Sequence, residues 1–197
     1  MIEIDTLLAW GASYKKVAQG ETIFKEGSEC HFYYQLIEGS VRWINITEDG
    51  REFIQNMIEP GECFGEMPLF DDDVFAASAI ANKDCLILRL RKSTFLQLLK
   101  EDTSIHFAFS KMLTQRLRYK FLLLKELACY TPEHCISALF SHLRESNKNI
   151  CPQCYKVQLT RQQIADMTGL RVETVIRTIK HLADKGSLVI ERGKVFC

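Results

Sequence analysis

From Lys92 to Cys129 the chain contains no glycine and no proline, a run of uninterrupted helix-compatible sequence. What flanks that run differs on its two sides. From about Lys16 to Leu90 the residues read as short strands punctuated by turn signals. Tyr33 to Ile46 is aromatic and β-branched and is broken at Gly39-Ser40, Asp49-Gly50 separates two such runs, and Pro60-Gly61 marks a further turn. Strands at this spacing predict an all-β barrel or jelly roll. Within the run itself, Ser93 and Asp102-Thr103-Ser104 are expected N-caps of a short helix followed by a long one. Along the long one, Ile105, Phe109, Leu113, Leu117, Phe121 and Leu124 recur every three or four residues. About 25 helical residues span roughly 37 Å, more than one small core requires. Phe109, Leu113, Leu117 and Leu124 are therefore expected on a dimer seam as well as an intrachain contact. One helix lying along the barrel is the alternative.

Tyr130-Thr131-Pro132-Glu133 breaks the long helix and starts another, with Ile136, Leu139, Phe140 and Leu143 on one face. Glu145 to Tyr155 is polar and turn-like. Leu159 to Lys185 reads as two short helices, and Leu188 to Phe196 as a hairpin turning near Arg192-Gly193. The fold class is thus α+β. A barrel over residues 1–101 and a long dimerisation helix over 102–129 precede a winged helix-turn-helix over 130–197.

Composition excludes several classes. At 197 residues, 47% hydrophobic and 25% charged, the chain suits one or two globular domains. No apolar run approaches the roughly 20 residues needed to cross a bilayer. The acidic start, Met1-Ile2-Glu3-Ile4-Asp5, lacks a signal peptide's basic and apolar regions. A cytoplasmic protein with no membrane partner is expected. No Ser/His/Asp order, paired acids or Gly-rich nucleotide loop points to an enzyme. Net charge is zero, yet from Cys129 onward ten Lys/Arg face six Asp/Glu, leaving fifteen against nineteen before it. A basic module joined to an acidic one fits a nucleic-acid binder tethered to another function.

The two-helix unit carries the sharpest signal. Thr160 and Gln163 have capping-box spacing, Ile164, Ala165 and Met167 supply a buried side, and Gly169 sits at a tight turn. Leu170, Val175, Ile179 and Leu182 anchor the second helix, which leaves Arg171, Val172, Glu173, Thr174 and Arg177 near its start. Those are the positions from which a recognition helix reaches base edges. Glu173 and Arg177 share a face. Either they form a surface ion pair, or Arg177 donates to guanine O6/N7 while Glu173 accepts from cytosine N4 and Val172 touches a thymine methyl. Thr160, Arg161, Gln162, Arg171, Thr174 and Lys180 are then expected on phosphates, where they set register.

The segment Leu159-Thr160-Arg161-Gln162-Gln163-Ile164-Ala165-Asp166, with Gly169 and the run to Arg177, resembles the DNA-binding motif of the CRP/FNR (catabolite-activator/fumarate-nitrate-regulator) family. Phe32 to Val41, Glu48-Asp49-Gly50-Arg51-Glu52 and Pro60 to Phe70 resemble that family's cyclic-nucleotide-type sensor domain. The resemblance runs from about Lys16 to the end. It implies a homodimer on an inverted repeat of double-stranded DNA, with a TGA-like half-site core because the helix carries Glu-x-x-x-Arg. RNA polymerase is a further candidate partner.

Phe64-Gly65-Glu66 is similar to the start of the family's phosphate-binding cassette. The cassette arginine is missing: Phe75 and Ala76 stand nearest to its place, and Lys120-Phe121 stand where the family's adenine-contacting pair lies. A buried phosphate monoanion without a charge partner is costly by several kcal/mol. The resemblance therefore implies an effector pocket of Gly65, Glu66, Phe75, Ala76, Lys120 and Phe121 that does not hold cyclic AMP. It takes another small molecule, or it is filled by Phe75 and Phe121. Lys120 is expected to be a solvated surface lysine; pairing with an anion of another kind is the alternative.

Eight cysteines are present, and free thiols are the first expectation for them, with no metal or cofactor assigned. Cys151-Pro152-Gln153-Cys154 has a spacing that suits zinc or a redox disulfide. Zinc needs two further ligands, for which Cys129, His134, Cys135, His142 and Cys197 are near in sequence. Cys30, Cys63 and Cys85 read as ordinary thiols of the barrel. His31, His106 and His181 are isolated and do not suggest haem.

Overall fold

The computed structural model describes residues 2–129 and 131–197, and the side chains of these except 126–129. Tyr130, expected to break the long helix, and the Cys129 thiol lie outside the described residues. The chain divides into two compact units, Met1–Leu113 and Thr114–Cys197.

The first unit is a jelly roll of two four-stranded sheets with every neighbour antiparallel. One sheet has the order β1 (Ser13–Val17), β8 (Cys85–Arg91), β3 (Phe32–Glu38), β6 (Cys63–Phe64). The other runs β2 (Thr22–Phe24), β7 (Ser78–Ala81), β4 (Val41–Ile46), β5 (Glu52–Ile58). The hairpin expected at Asp49-Gly50 joins β4 to β5, closed by Thr47 N–H to Arg51 O at 2.9 Å. Strand alternation fills the interior: Leu36, Val41, Ile44, Ile58, Ile87 and Leu88 are all fully buried.

Helices α1 (Ile4–Ala9), α2 (Pro68–Asp71), α3 (Lys92–Glu101) and the start of α4 (Thr103–Cys129) pack on this barrel. Aromatic rings fix them. Tyr33 of β3 stacks on Phe95 of α3 at 4.8 Å, and Phe109 of α4 meets Phe95 edge-on at 5.3 Å. Gln35, buried on β3, donates from Nε2 to the Ile2 carbonyl at 3.0 Å and so ties down the chain before α1.

The expected caps divide. Asp102 caps α4, its Oδ1 accepting from Ser104 N–H at 2.9 Å and Ile105 N–H at 3.3 Å. Ser93 does not cap α3. Strand β8 runs straight into that helix, Arg91 occupies the N-cap position without a side-chain bond, and Lys92 N–H is held by the His31 carbonyl at 2.9 Å. A neighbouring strand end supplies the acceptor that a capping side chain otherwise would.

The second unit begins within α4. There Tyr119 stacks face-on against His142 of α5 (Pro132–Ser146), with ring centroids 3.7 Å apart. Burial pushes the Tyr119 hydroxyl up to about 12. Ile136, Leu139, Phe140 and Leu143 of α5 are buried as expected, together with Cys135. Helices α6 (Arg161–Thr168) and α7 (Val172–Asp184) follow, then the two-stranded wing of β9 (Val189–Glu191) and β10 (Lys194–Phe196).

Candidate functional site

Helix α6 starts at a complete capping box: Thr160 Oγ1 accepts from Gln163 N–H at 3.1 Å, and Gln163 Oε1 accepts from Thr160 N–H at 2.9 Å. It ends at Gly169, whose φ of 68° is the left-handed conformation that glycine adopts without a Cβ penalty. The chain thereby turns sharply into α7. Val175, Ile179 and Leu182 of α7 are buried as expected, and Thr178 joins them. Leu170, expected as an anchor, is only half-buried. With the inner face of α7 fixed, Arg171, Glu173, Arg177 and Lys180 all lie exposed.

The four charged side chains of this surface make no ion pair or side-chain hydrogen bond with any described residue. The surface Glu173–Arg177 pair, one of the two sequence readings, does not form. Val172 and Thr174 are half-buried at the helix start. Arg171 occupies the N-cap of α7 without a side-chain bond, so the first-turn amides of α7 are left to an outside acceptor. Gln162 and Arg161 are engaged inside the unit. Gln162 Nε2 donates to Asp166 Oδ1 at 2.7 Å, and Arg161 Nη2 reaches the Gly193 carbonyl of the wing turn at 3.5 Å.

Several side chains not singled out from the sequence share these surfaces. Ile176 is 52% exposed, one turn from Glu173. Arg192 and Lys194 flank the wing turn, where φ of 47° at Arg192 and 75° at Gly193 give the mirror-image turn that suits a twisted hairpin. Both residues lie exposed. The signal was available in sequence: two cations beside a hairpin glycine, following a two-helix unit.

In the barrel, the residues of the expected effector pocket separate. Phe75 is 2% exposed and stacks on Phe24, with centroids 3.8 Å apart and planes 8° from parallel. Phe64 and Tyr34 pack against the same Phe24 ring. Gly65 lies beneath this stack: a Cβ there would sit 2.5 Å from Phe24 Cζ and 2.9 Å from Phe75 Cε1, on a backbone with φ 67°. Glu66 is buried, and Ala76 is exposed.

On α4, in the second unit, Phe121 is 66% exposed. Lys120 is not a solvated surface lysine. It is half-buried, and burial together with Arg116 one turn earlier pushes its ammonium pKa down to about 8. The residues of the expected seam differ in burial. Phe109 is buried in the first unit, where the aromatic cluster on β3 and α3 claims it, and Leu113 is half-buried. Leu117, Phe121 and Leu124 are exposed apolar residues at four- and three-residue spacing.

Among the described residues no cysteine is in a disulfide, and no group of three or more His, Cys, Asp or Glu comes together to hold a metal ion. Cys30 and Cys85 are buried, and burial pushes both thiols up. No described helix is long and apolar enough to cross a membrane.

Comparison with known proteins agrees with this architecture. A family model described as a cyclic nucleotide-binding domain matches residues 14–102, and one described as a Crp-like helix-turn-helix domain matches residues 133–196. The chain is 30% identical over 196 residues to the cAMP-activated global transcriptional regulator CRP of Pasteurella multocida, covering 97% of this chain and 93% of that one. It is 28% identical to the cyclic AMP receptor protein of Thermus thermophilus, covering 98% and 87%. The solved structure of the c-di-GMP responsive global regulator CLP of Xanthomonas campestris has the same fold, with a TM-score of 0.79 at 24% identity over 98% of this chain and 96% of that one. A jelly-roll sensor domain, a long helix and a winged helix-turn-helix, matched along nearly the whole of a regulator at 30% identity, establish that the chain belongs to the CRP/FNR family of DNA-binding transcription regulators.

Proposed function

We propose that the protein works in the cytoplasm as a homodimer that reads an inverted repeat with a TGA-like half-site core, and that its signal is not cyclic AMP. The observation that carries the DNA reading is the start of α7, where Glu173 and Arg177 are exposed on a helix packed by Val175, Ile179 and Leu182, with no ion pair to any described residue. Arg177 donates to guanine O6/N7, Glu173 accepts from cytosine N4, and Val172 lies against a thymine methyl. Arg171, Thr174, Lys180 and the amides at the start of α7 take phosphates, as do Thr160, Arg161 and Gln162 at the start of α6. Arg161 also steadies the wing.

Residues 1–101 form the sensor, 102–129 the dimerisation helix and 130–197 the DNA-binding domain. The seam runs through Leu117, Phe121 and Leu124, whose exposed apolar surface favours a second copy. A signal at the sensor shifts the population of arrangements of the long helices and so the spacing of the two recognition helices. The relatives matched include regulators named for cyclic AMP. In this chain Phe75 stands nearest the place of the phosphate-binding arginine, and its ring is committed to Phe24. The barrel residues Gly65, Glu66, Phe75 and Ala76 thus offer a cyclic phosphate no arginine. RNA polymerase is the remaining partner. A metal- or redox-driven sensor at Cys151 and Cys154 is not favoured as the main signal, since the relatives matched are cyclic-nucleotide-type regulators.

The test is selection of sites from random duplex DNA by the reduced, ligand-free protein, repeated with cyclic AMP and with Arg177→Ala. An inverted repeat without ligand is the expected result. The variant should lose about 1–3 kcal/mol and its preference at one base pair. An unchanged motif in the variant refutes the assignment of Arg177. Sites that emerge only with cyclic AMP refute the pocket argument.

A further inference from the structure

Cys151 and Cys154 lie on a loop of the second unit that is hydrogen-bonded to the wing. Ile150 and Val157 bridge as an antiparallel pair, and Cys151 N–H donates to the Lys156 carbonyl at 2.9 Å. Between them the chain makes one tight turn over Pro152-Gln153-Cys154, closed by Tyr155 N–H to the Cys151 carbonyl at 2.8 Å. The far side of this loop continues the wing. Lys156 bridges to Phe196, Val157 N–H donates to the Val195 carbonyl at 2.9 Å, and Cys197 N–H donates to the Tyr155 carbonyl at 3.2 Å. Tyr155 is held at φ 55° beneath the Arg144 guanidinium, 4.8 Å from its ring centroid.

The two thiols differ from the other cysteines in three respects. They sit three residues apart on one turn, the spacing of a Cys-x-x-Cys dithiol. Cys154 is exposed and Cys151 partly so, as Cys197 is, whereas Cys30, Cys63, Cys85 and Cys135 are buried. The N–H groups of Cys154 and Gln153 and the Cys154 thiol beside it, with the Lys156 charge, hold the Cys151 pKa below the ordinary thiol value, while burial pushes Cys197 up. No metal cluster competes for the pair among the described residues.

We propose that Cys151 and Cys154 are a redox-active dithiol, with Cys151 the attacking and Cys154 the resolving thiol, whose oxidation tightens the loop against the wing. The oxidant is a low-molecular-weight disulfide such as glutathione disulfide. The Cys151 thiolate attacks one of its sulfurs, the small S–S bond breaks, and one glutathione thiolate leaves and takes a proton. Cys154 then loses its proton and attacks the Cys151 sulfur of the mixed disulfide, expelling the second glutathione. The protein loses two hydrogens and two electrons, and one glutathione disulfide becomes two glutathiones. This site is independent of the DNA sequence read by α7 and of the effector in the barrel.

The experiment treats the reduced full-length protein with glutathione disulfide, quenches with acid, and maps the cysteines by mass spectrometry. The wild type should become two hydrogen masses lighter, with Cys151 joined to Cys154. Cys154→Ser should accumulate a single glutathione adduct on Cys151, and in Cys151→Ser the thiol of Cys154 should react at least about tenfold more slowly. Both serines replace thiols on an exposed turn, and retained helical circular dichroism reports that each variant is folded. No adduct on Cys151 in Cys154→Ser, or earlier modification of Cys197, overturns the proposal. Amide exchange at Val157 and Cys197 should slow on oxidation of the wild type, and an unchanged rate overturns the link to the wing.

Discussion

Replacing Phe75 by alanine tests whether the barrel interior is closed by its own aromatic rings. Phe75 is 2% exposed, its ring parallel to Phe24 at 3.8 Å, and Gly65 lies too close beneath to move into the gap. A buried phenylalanine removes on the order of 150–250 Å² from water, worth roughly 4–6 kcal/mol at about 25 cal/mol per Å². Alanine recovers part of this, which leaves a loss of about 3–5 kcal/mol, the usual range for Phe to Ala in a core. Set against a domain stability of about 5–15 kcal/mol, that is a large fraction. Both tryptophans, Trp10 and Trp43, lie in the first unit, so their fluorescence in a urea titration reports the barrel and not the DNA-binding unit. The urea midpoint should fall steeply in Phe75→Ala, with Phe75→Leu between it and the wild type. A loss under about 1 kcal/mol refutes the packed interior, because it means that the ring swings freely and that the space is open to a ligand.

Other outcomes follow from other parts of the molecule. Thr160→Ala removes one half of the capping box and should cost the second unit about 1 kcal/mol, read as a lower urea midpoint by circular dichroism at helix wavelengths. Leu117→Ser on the exposed face of α4 removes about 1.5–3 kcal/mol of burial from each copy, so the dimer should weaken at least about 100-fold in sedimentation equilibrium; an unmoved constant places the seam elsewhere. Lys120, at about 8, lies below the roughly 10.4 of an unfolded lysine, so the unfolded chain binds more protons between those values. Stability should therefore rise with pH from about 8 to about 10.4, and the rise should shrink in Lys120→Met when the two proteins are unfolded in urea at both ends of that window.

The local chemistry of this protein was legible in its sequence wherever a short run of residues carries the cause. The Thr160/Gln163 box, the turn at Gly169, the hairpins at Asp49-Gly50 and Arg192-Gly193 and the Asp102 cap all formed, because each depends on neighbours within five residues. The buried faces of α5 and α7 followed from period alone. Packing decided the rest. Ser93 lost its cap because a strand end brought the His31 carbonyl to the helix start, and no local signal announces a distant acceptor. Phe109 and Leu117 look alike along one apolar stripe, yet Tyr33 and Phe95 claim the first and leave the second to solvent. Phe75 could be read as an absence of arginine, but only the opposing Phe24 ring, brought from another strand, made it a filled interior. The sequence by itself thus determined the hairpins, the long helix and the two-helix unit, the caps at Asp102 and Thr160 and the residues that α7 presents. The tertiary structure alone decided which side of a helix is inside, which pocket is full and which thiols meet the wing, because those outcomes depend on contacts between residues far apart in the chain.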